Sequence, residues 1–257
     1  MSSTESRAFY DEYVERQLRV GVNRRHEAIR DFALRFGLEP HHRVLEIGAG
    51  VGTVTGLLAA ELDPEEGGVV GVDLSPRSIE AARARLARVP HARMEAGDVL
   101  ELELEGLFDV VVLPDVLEHI PLELHPALFG RIAGWLAPDG FVLAHYPNPH
   151  FLAWCHEHRP DLLQQVDQPI WADALTAAAY PAGLTLEYLE TYAIWIEEGD
   201  YQVALFRPRS AVDDFRAIEE RPGVVDRLRA MARRALDRVG GGGGGDDDSG
   251  DGDPAGA

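Results

Sequence analysis

Residues 44–62, VLEIGAGVGTVTGLLAAEL, read as strand, loop and helix. The apolar run Arg43–Ile47 carries one acid, Glu46, and runs into glycines at 48, 50 and 52. A backbone without Cβ atoms lets a ligand come close, and the helix start behind it offers free N–H groups. A dinucleotide fingerprint, G-x-G-x-x-G, would set its third glycine at position 53, which is Thr53. Glu46 is also out of place beneath a pyrophosphate; its charge suits a cation or an amine. The alternative here is a tight strand–helix turn that binds nothing.

Around this stretch, short apolar runs alternate with helix-like ones. Strands are predicted at Arg43–Ile47, Val69–Asp73, Ala92–Glu95, Phe108–Leu113 and Gly140–His145, with helices at Gly52–Leu62, Pro76–Arg88 and His125–Leu136. Such alternation predicts an α/β fold, a doubly wound parallel sheet with helices on both faces. Leu184–Ile196 and Tyr201–Phe206, separated by Glu197–Asp200, predict a closing antiparallel hairpin. Residues 147–183 carry five prolines and read as an irregular insertion on the substrate side. Residues 5–37 read as two helices broken near Gly21 and Asn23, with Gly37 as a C-terminal cap.

Two further acids stand at strand ends. Asp73 follows the glycine loop by about the spacing at which an acid accepts from ribose hydroxyls; Ser75, before Pro76, is the better N-cap for the next helix. Asp98, in EAGDVLEL, could accept from an adenine amino group with Val99 against the ring, or be a turn aspartate.

The series E-x-G-x-G-x-G, an acid ending strand two, G-D after strand three, LPDVLEHIP after strand four and WLAPDGFVL over residues 40–206 resembles the class I S-adenosylmethionine-dependent methyltransferases. The resemblance implies a Rossmann-like seven-stranded sheet with an antiparallel last strand, and S-adenosylmethionine as cofactor with S-adenosylhomocysteine as product. It accounts for Glu46, because this cofactor has an ammonium and no phosphate. It implies that Gly48, Ala49, Gly50 and Gly52 lie against the cofactor, that Asp73 with Leu74 holds the ribose and Asp98 with Val99 the adenine, and that Pro114 and Asp115 flank the methionine part.

His119, in VLEHI, would then sit near the transferred methyl as a possible general base; alternatively Glu118 and His119 only shape the loop. Tyr146 and Asn148, after strand five, are candidate substrate contacts, Tyr146 also a candidate catalytic group, and His145 reads as a satisfied core histidine. Residues 1–40 are expected to form a helical lid, with Tyr10, Tyr13 and Arg19 as lid or packing residues. His156, His158 and Asp167 match no closed metal site, so no metal is expected.

The chain of 257 residues carries a net charge of −20, which disfavours nucleic acid and anionic membranes. No apolar run reaches the roughly 20 residues of a membrane helix, and the N-terminus lacks an apolar signal-like core, so a cytoplasmic protein is expected. The single cysteine, Cys155, reads as a buried or tolerated thiol. Residues 209–239 are expected to hold one amphipathic helix, and 240–257 a disordered acidic tail. The expected activity is methyl transfer to O or N of a small metabolite or a glycan or lipid intermediate, with oligomeric state open. The rivals are non-methylating use of the same cofactor, an inactive cofactor-binding partner subunit, and a nicotinamide-dependent dehydrogenase.

Overall fold

Seven strands form one sheet in the order β3-β2-β1-β4-β5-β7-β6. The strands are β1 (Arg43–Ile47), β2 (Gly68–Asp73), β3 (Ala92–Ala96), β4 (Phe108–Pro114), β5 (Leu136–Pro147), β6 (Leu184–Tyr192) and β7 (Tyr201–Pro208). The computed structural model describes residues 14–164 and 166–209. Tyr10, Tyr13, the predicted 209–239 helix and the acidic tail therefore lie outside the described residues, but for Arg209.

β1 is parallel to both β2 and β4, and β7 is antiparallel to β5 and β6. Because central strands are covered on both faces, their alternate side chains feed two cores. Leu45, Val111 and Leu113 pack with Phe129 and Trp135 on one side. Val44, Val110 and Val112 pack with Ile29, Leu58 and Leu143 on the other. The chain winds outward from β1 to β3 and then restarts at β4 on the opposite side. The carboxyl ends of β1 and β4 thus diverge at a switch point, where open α/β sheets take their ligands.

The helices are α1 (Arg24–Arg35), α2 (Thr53–Ala59), α3 (Pro76–Arg85), α4 (His125–Trp135), α5 (Pro149–His158) and α6 (Ala172–Ala179); residues 14–20 are also helical. Asn23 caps α1, accepting from the N–H groups of Arg25 and His26. Gly37, at φ +107, closes it as Leu38 N–H reaches Ala33 O at 2.9 Å. Ser75 caps α3 as expected.

Three expectations need correction. The 147–183 insertion is largely helical, because Asn148 and Pro149 start α5 and two 3₁₀ turns and α6 follow. β6 ends at Tyr192, not Ile196: buried Asp200 accepts from the N–H groups of Ile194 and Trp195 and pins the chain into a turn. Apolar residues recurring at three- and four-residue steps over 5–37 predict Leu18 and Val22 on an apolar helix face, but both are more than 40% exposed. Among the described residues no helix is long and apolar enough to cross a membrane.

Candidate active site

A cavity of about 520 Å³ opens at the switch point, within the range of small-molecule sites. Its floor is the loop after β1. Gly48, Gly50 and Gly52 all have positive φ, and the N–H groups of Gly48 and Ala49 donate to Val72 O at 2.8 and 2.9 Å. The glycines differ in what they permit. A Cβ on Gly48 would lie 2.1 Å from a methyl of Val116, so the exit of β4 demands this glycine. Gly52 does not line the cavity; a Cβ there would crowd Ala82 of α3 and Leu86, which caps that helix's C-terminus. Its place among the cofactor-contacting residues is thus corrected: it lets α2 and α3 approach.

The three acids converge as the spacing implied. Glu46, Asp73 and Asp98 all line the cavity, with Leu74, Val99, Leu100, Pro114 and Asp115. Glu46 is buried and accepts from the Thr55 hydroxyl. Burial pushes its carboxyl up to about 8, with nearby Asp73 adding to the rise and Thr55 opposing it. Asp73 uses one oxygen for Gly50 N–H and the other for Ser75 N–H, both at 2.8 Å, and so ties the glycine loop to β2. Asp98 accepts from Leu100 N–H at 2.9 Å.

Asp115 is the sole non-glycine residue with positive φ among those described, at +55, on the turn leaving β4. Its carboxylate meets Arg25 Nη1 at 3.0 Å and His145 Nδ1 at 2.6 Å. His145 is fully buried, its Nε2 lies 2.6 Å from the Tyr192 hydroxyl and its ring stacks on Tyr201, so it is the satisfied core histidine expected. Burial would raise the Asp115 carboxyl, but Arg25 and His145 outweigh it and hold the carboxyl below its ordinary value. For Arg25, burial is outweighed by Asp115 and Tyr201, and its pKa rises. His26 beside it is pushed down to about 4 by burial and the Arg25 charge, and is neutral.

His119 lines the cavity, and its imidazole is tied to the insertion. Its Nδ1 lies 2.5 Å from Val166 O and 3.1 Å from an Asp167 oxygen. Burial disfavours its charge, yet Glu118 and Asp167 outweigh that and raise it to about 9, so near neutral pH it holds a proton. It ties the turn after β4 to Val166 and Asp167. Tyr146 is buried in the core and does not line the cavity. Asn148 caps α5, accepting from His150 N–H and donating to Gly199 O at 2.7 Å, and is likewise absent from the cavity wall. Arg19 donates to Glu15 O instead of facing the cavity, whereas Arg16, Gln17 and Val20 of the same helix line it. His156 and His158 turn to the main-chain oxygens of Asp167 and Trp154. Among the described residues, the one grouping with metal-ligand spacing is Glu39, His41 and His42, none of which lines the cavity.

The sequence reading missed Arg16, Arg25 and His26. The cap Asn23 ahead of two arginines is the available signal, since it sets Arg25 in the first turn of α1.

A family profile described as "Methyltransferase domain" matches residues 16–190. The chain belongs to this family, the class I S-adenosylmethionine-dependent methyltransferases. It is 30% identical over 178 residues to trans-aconitate 2-methyltransferase of Methylobacterium nodulans, covering 69% of this chain and 64% of that one. It is 30% identical over 145 residues to phosphoethanolamine N-methyltransferase 3 of Arabidopsis thaliana, covering 53% and 29%. The match thus spans less than two thirds of either relative. The N-methyltransferase NodS from Bradyrhizobium japonicum, solved with S-adenosylhomocysteine, shares the fold at a TM-score of 0.61 and 22% identity over 79% of this chain and 100% of that chain.

Proposed function

We propose that the protein transfers a methyl group from S-adenosylmethionine to O or N of a small metabolite or a biosynthetic glycan or lipid intermediate. The observation that carries the reading is Glu46, a buried carboxyl under a glycine loop. It opposes a phosphate and suits an ammonium, and Asp73 and Asp98 line the same cavity. When bound, S-adenosylmethionine supplies a methyl group made electrophilic by its sulfonium.

The chain's own part is binding and orientation, which for methyl displacement does most of the work. In this reading Glu46 gives up its proton to pair with the cofactor's ammonium. Asp73 accepts from the ribose hydroxyls while keeping the glycine loop tied to β2. Asp98 accepts from the adenine amino group, and Val99 and Leu100 cover the ring. Arg16 and Gln17 narrow the mouth and limit water.

The test is calorimetric titration of the full chain with S-adenosylhomocysteine, S-adenosylmethionine and NADH. Micromolar binding of the two sulfur nucleotides alone is expected. Binding of NADH instead, or of nothing, refutes the reading.

A further inference from the structure

A second cavity, of about 570 Å³, adjoins the first and shares Arg16, Arg25, Asp115 and Gln164 with it. Consecutive residues on the 3₁₀ turn Leu117–His119 divide between the two: His119 lines the first and Glu118 the second. Apolar side chains from α5 and the turn after it, including Phe151, Leu152 and Leu163, complete the second cavity.

Glu118 is 2% exposed. Its Oε1 lies 3.8 Å from His119 Nε2, while Oε2 is buried with no hydrogen-bond partner among the described residues. A buried carboxyl oxygen left without a donor costs stability, and such exceptions in a cavity wall point to a ligand. The neighbouring groups leave it the open acceptor. His119 is held by Val166 and Asp167, and the Asp115 carboxylate by Arg25 and His145. Asp161 pairs with Arg159. The wall therefore offers one carboxyl oxygen without a hydrogen-bond partner among the described residues, beside an apolar surface, which suits a protonated amine more than an anion.

Resting on the methyltransferase reading, we propose that the second cavity binds the methyl acceptor, a small amine with an apolar body, and that Glu118 receives the ammonium and takes its proton. The N–H bond breaks as Glu118 Oε2–H forms. The freed nitrogen lone pair then makes the new N–C bond while the S–C bond of the sulfonium breaks, its electron pair staying on sulfur. Burial pushes the Glu118 carboxyl up to about 8, opposed by His119 and reinforced by Asp115 and Asp167, so it can exchange a proton near neutral pH. Arg25, Tyr146 and Tyr201 also feel its charge.

The test uses the full chain saturated with S-adenosylhomocysteine and titrated calorimetrically at pH 7 with 2-phenylethylamine or phenylacetate, in buffers of different ionisation enthalpy. The wild type is expected to bind the amine and not the acid, releasing up to one proton. Glu118→Gln is expected to weaken amine binding at least tenfold and abolish the proton release, Glu118→Asp to restore part of both. Leu163→Trp, which fills the second cavity, should abolish amine binding while S-adenosylhomocysteine binding persists. Preference for phenylacetate, binding of neither probe, or equal amine affinity and proton release in Glu118→Gln overturns the proposal. A wild type that does not bind S-adenosylhomocysteine overturns the underlying reading instead.

Discussion

Replacing Glu46 by glutamine should make the protein more stable and a worse binder at once. The carboxyl is fully enclosed, and burial raises it from an ordinary 4.5 to about 8. Below the ordinary value it is neutral in both folded and unfolded chains. Between 4.5 and about 8 it is ionised only when unfolded, so unfolding releases a proton and stability falls as pH rises through that window. At about 1.4 kcal/mol per pKa unit the ceiling on this loss is about 5 kcal/mol. Relaxation around a buried charge leaves an expected loss of about 1–3 kcal/mol. Glutamine has nearly the same shape, can still accept from Thr55, and does not titrate. Thermal unfolding of Glu46→Gln and wild type should thus diverge from pH 5.5 to pH 8.5. The variant should gain roughly 2–12 °C relative to wild type over that range, at 2–4 °C per kcal/mol for a domain of this size. Comparing differences across pH cancels any constant packing effect of the substitution. Affinity for S-adenosylhomocysteine should fall, because the ammonium loses its counter-charge. A Tm difference that is flat with pH would refute the buried-carboxyl argument, and undiminished affinity would remove Glu46 from the ammonium site.

Asp73→Ala is expected to weaken S-adenosylhomocysteine binding by about 10–100-fold, measured calorimetrically, since it removes an acceptor and also frees the glycine loop held through Gly50 N–H. Gly48→Ala should cost about 2–4 kcal/mol in urea denaturation, combining a left-handed backbone with overlap on Val116. Asn148→Ala should cost about 1–2 kcal/mol by removing the α5 cap and the bond to Gly199, with S-adenosylhomocysteine affinity unchanged. Arg25→Met should cost about 1–3 kcal/mol at pH 7, a value held down by the partial exposure of the arginine. That loss should shrink as pH falls below the ordinary Asp115 value of 3.8, because the protonated carboxyl no longer needs its counter-ion.

The sheet was legible because each parallel strand is buried on both faces and so announces itself as an unbroken apolar run. β1 was placed to the residue, and β2, β3 and β4 within one residue at either end. The acids at three strand ends were legible for a related reason: a carboxylate just past an apolar strand must sit at the sheet edge, and parallel strands bring those edges together. β5 was harder. Its first residues, Leu136–Gly140, contain Pro138 and Gly140, which read as a turn. In the fold they form an irregular start, with the pairing to β4 shifting between Phe108 and Val110. The insertion was misread because its prolines were counted as breakers. Pro149 and Pro160 instead stand in first turns, where a missing N–H costs nothing.

The chemistry beyond the cofactor was less legible, and the reason is specific to buried ionisable groups. VLEHI offers a histidine and a glutamate side by side, and ordinary pKa values nominate the histidine as the base. Burial reverses the order. Contact with Glu118 and Asp167 raises His119, so the imidazole keeps its proton, while burial raises Glu118, whose Oε2 has no donor among the described residues. Neither effect can be read from the pair alone, since Asp167 is nearly fifty residues away and reaches His119 only through the fold of the insertion. The same insertion supplies the apolar wall of the second cavity. One segment therefore both walls the second cavity and sets which of two adjacent side chains keeps its proton. An exchange of Asp167 for asparagine should accordingly lower the His119 pKa, readable by NMR as a titration midpoint moved to lower pH, without altering S-adenosylhomocysteine affinity.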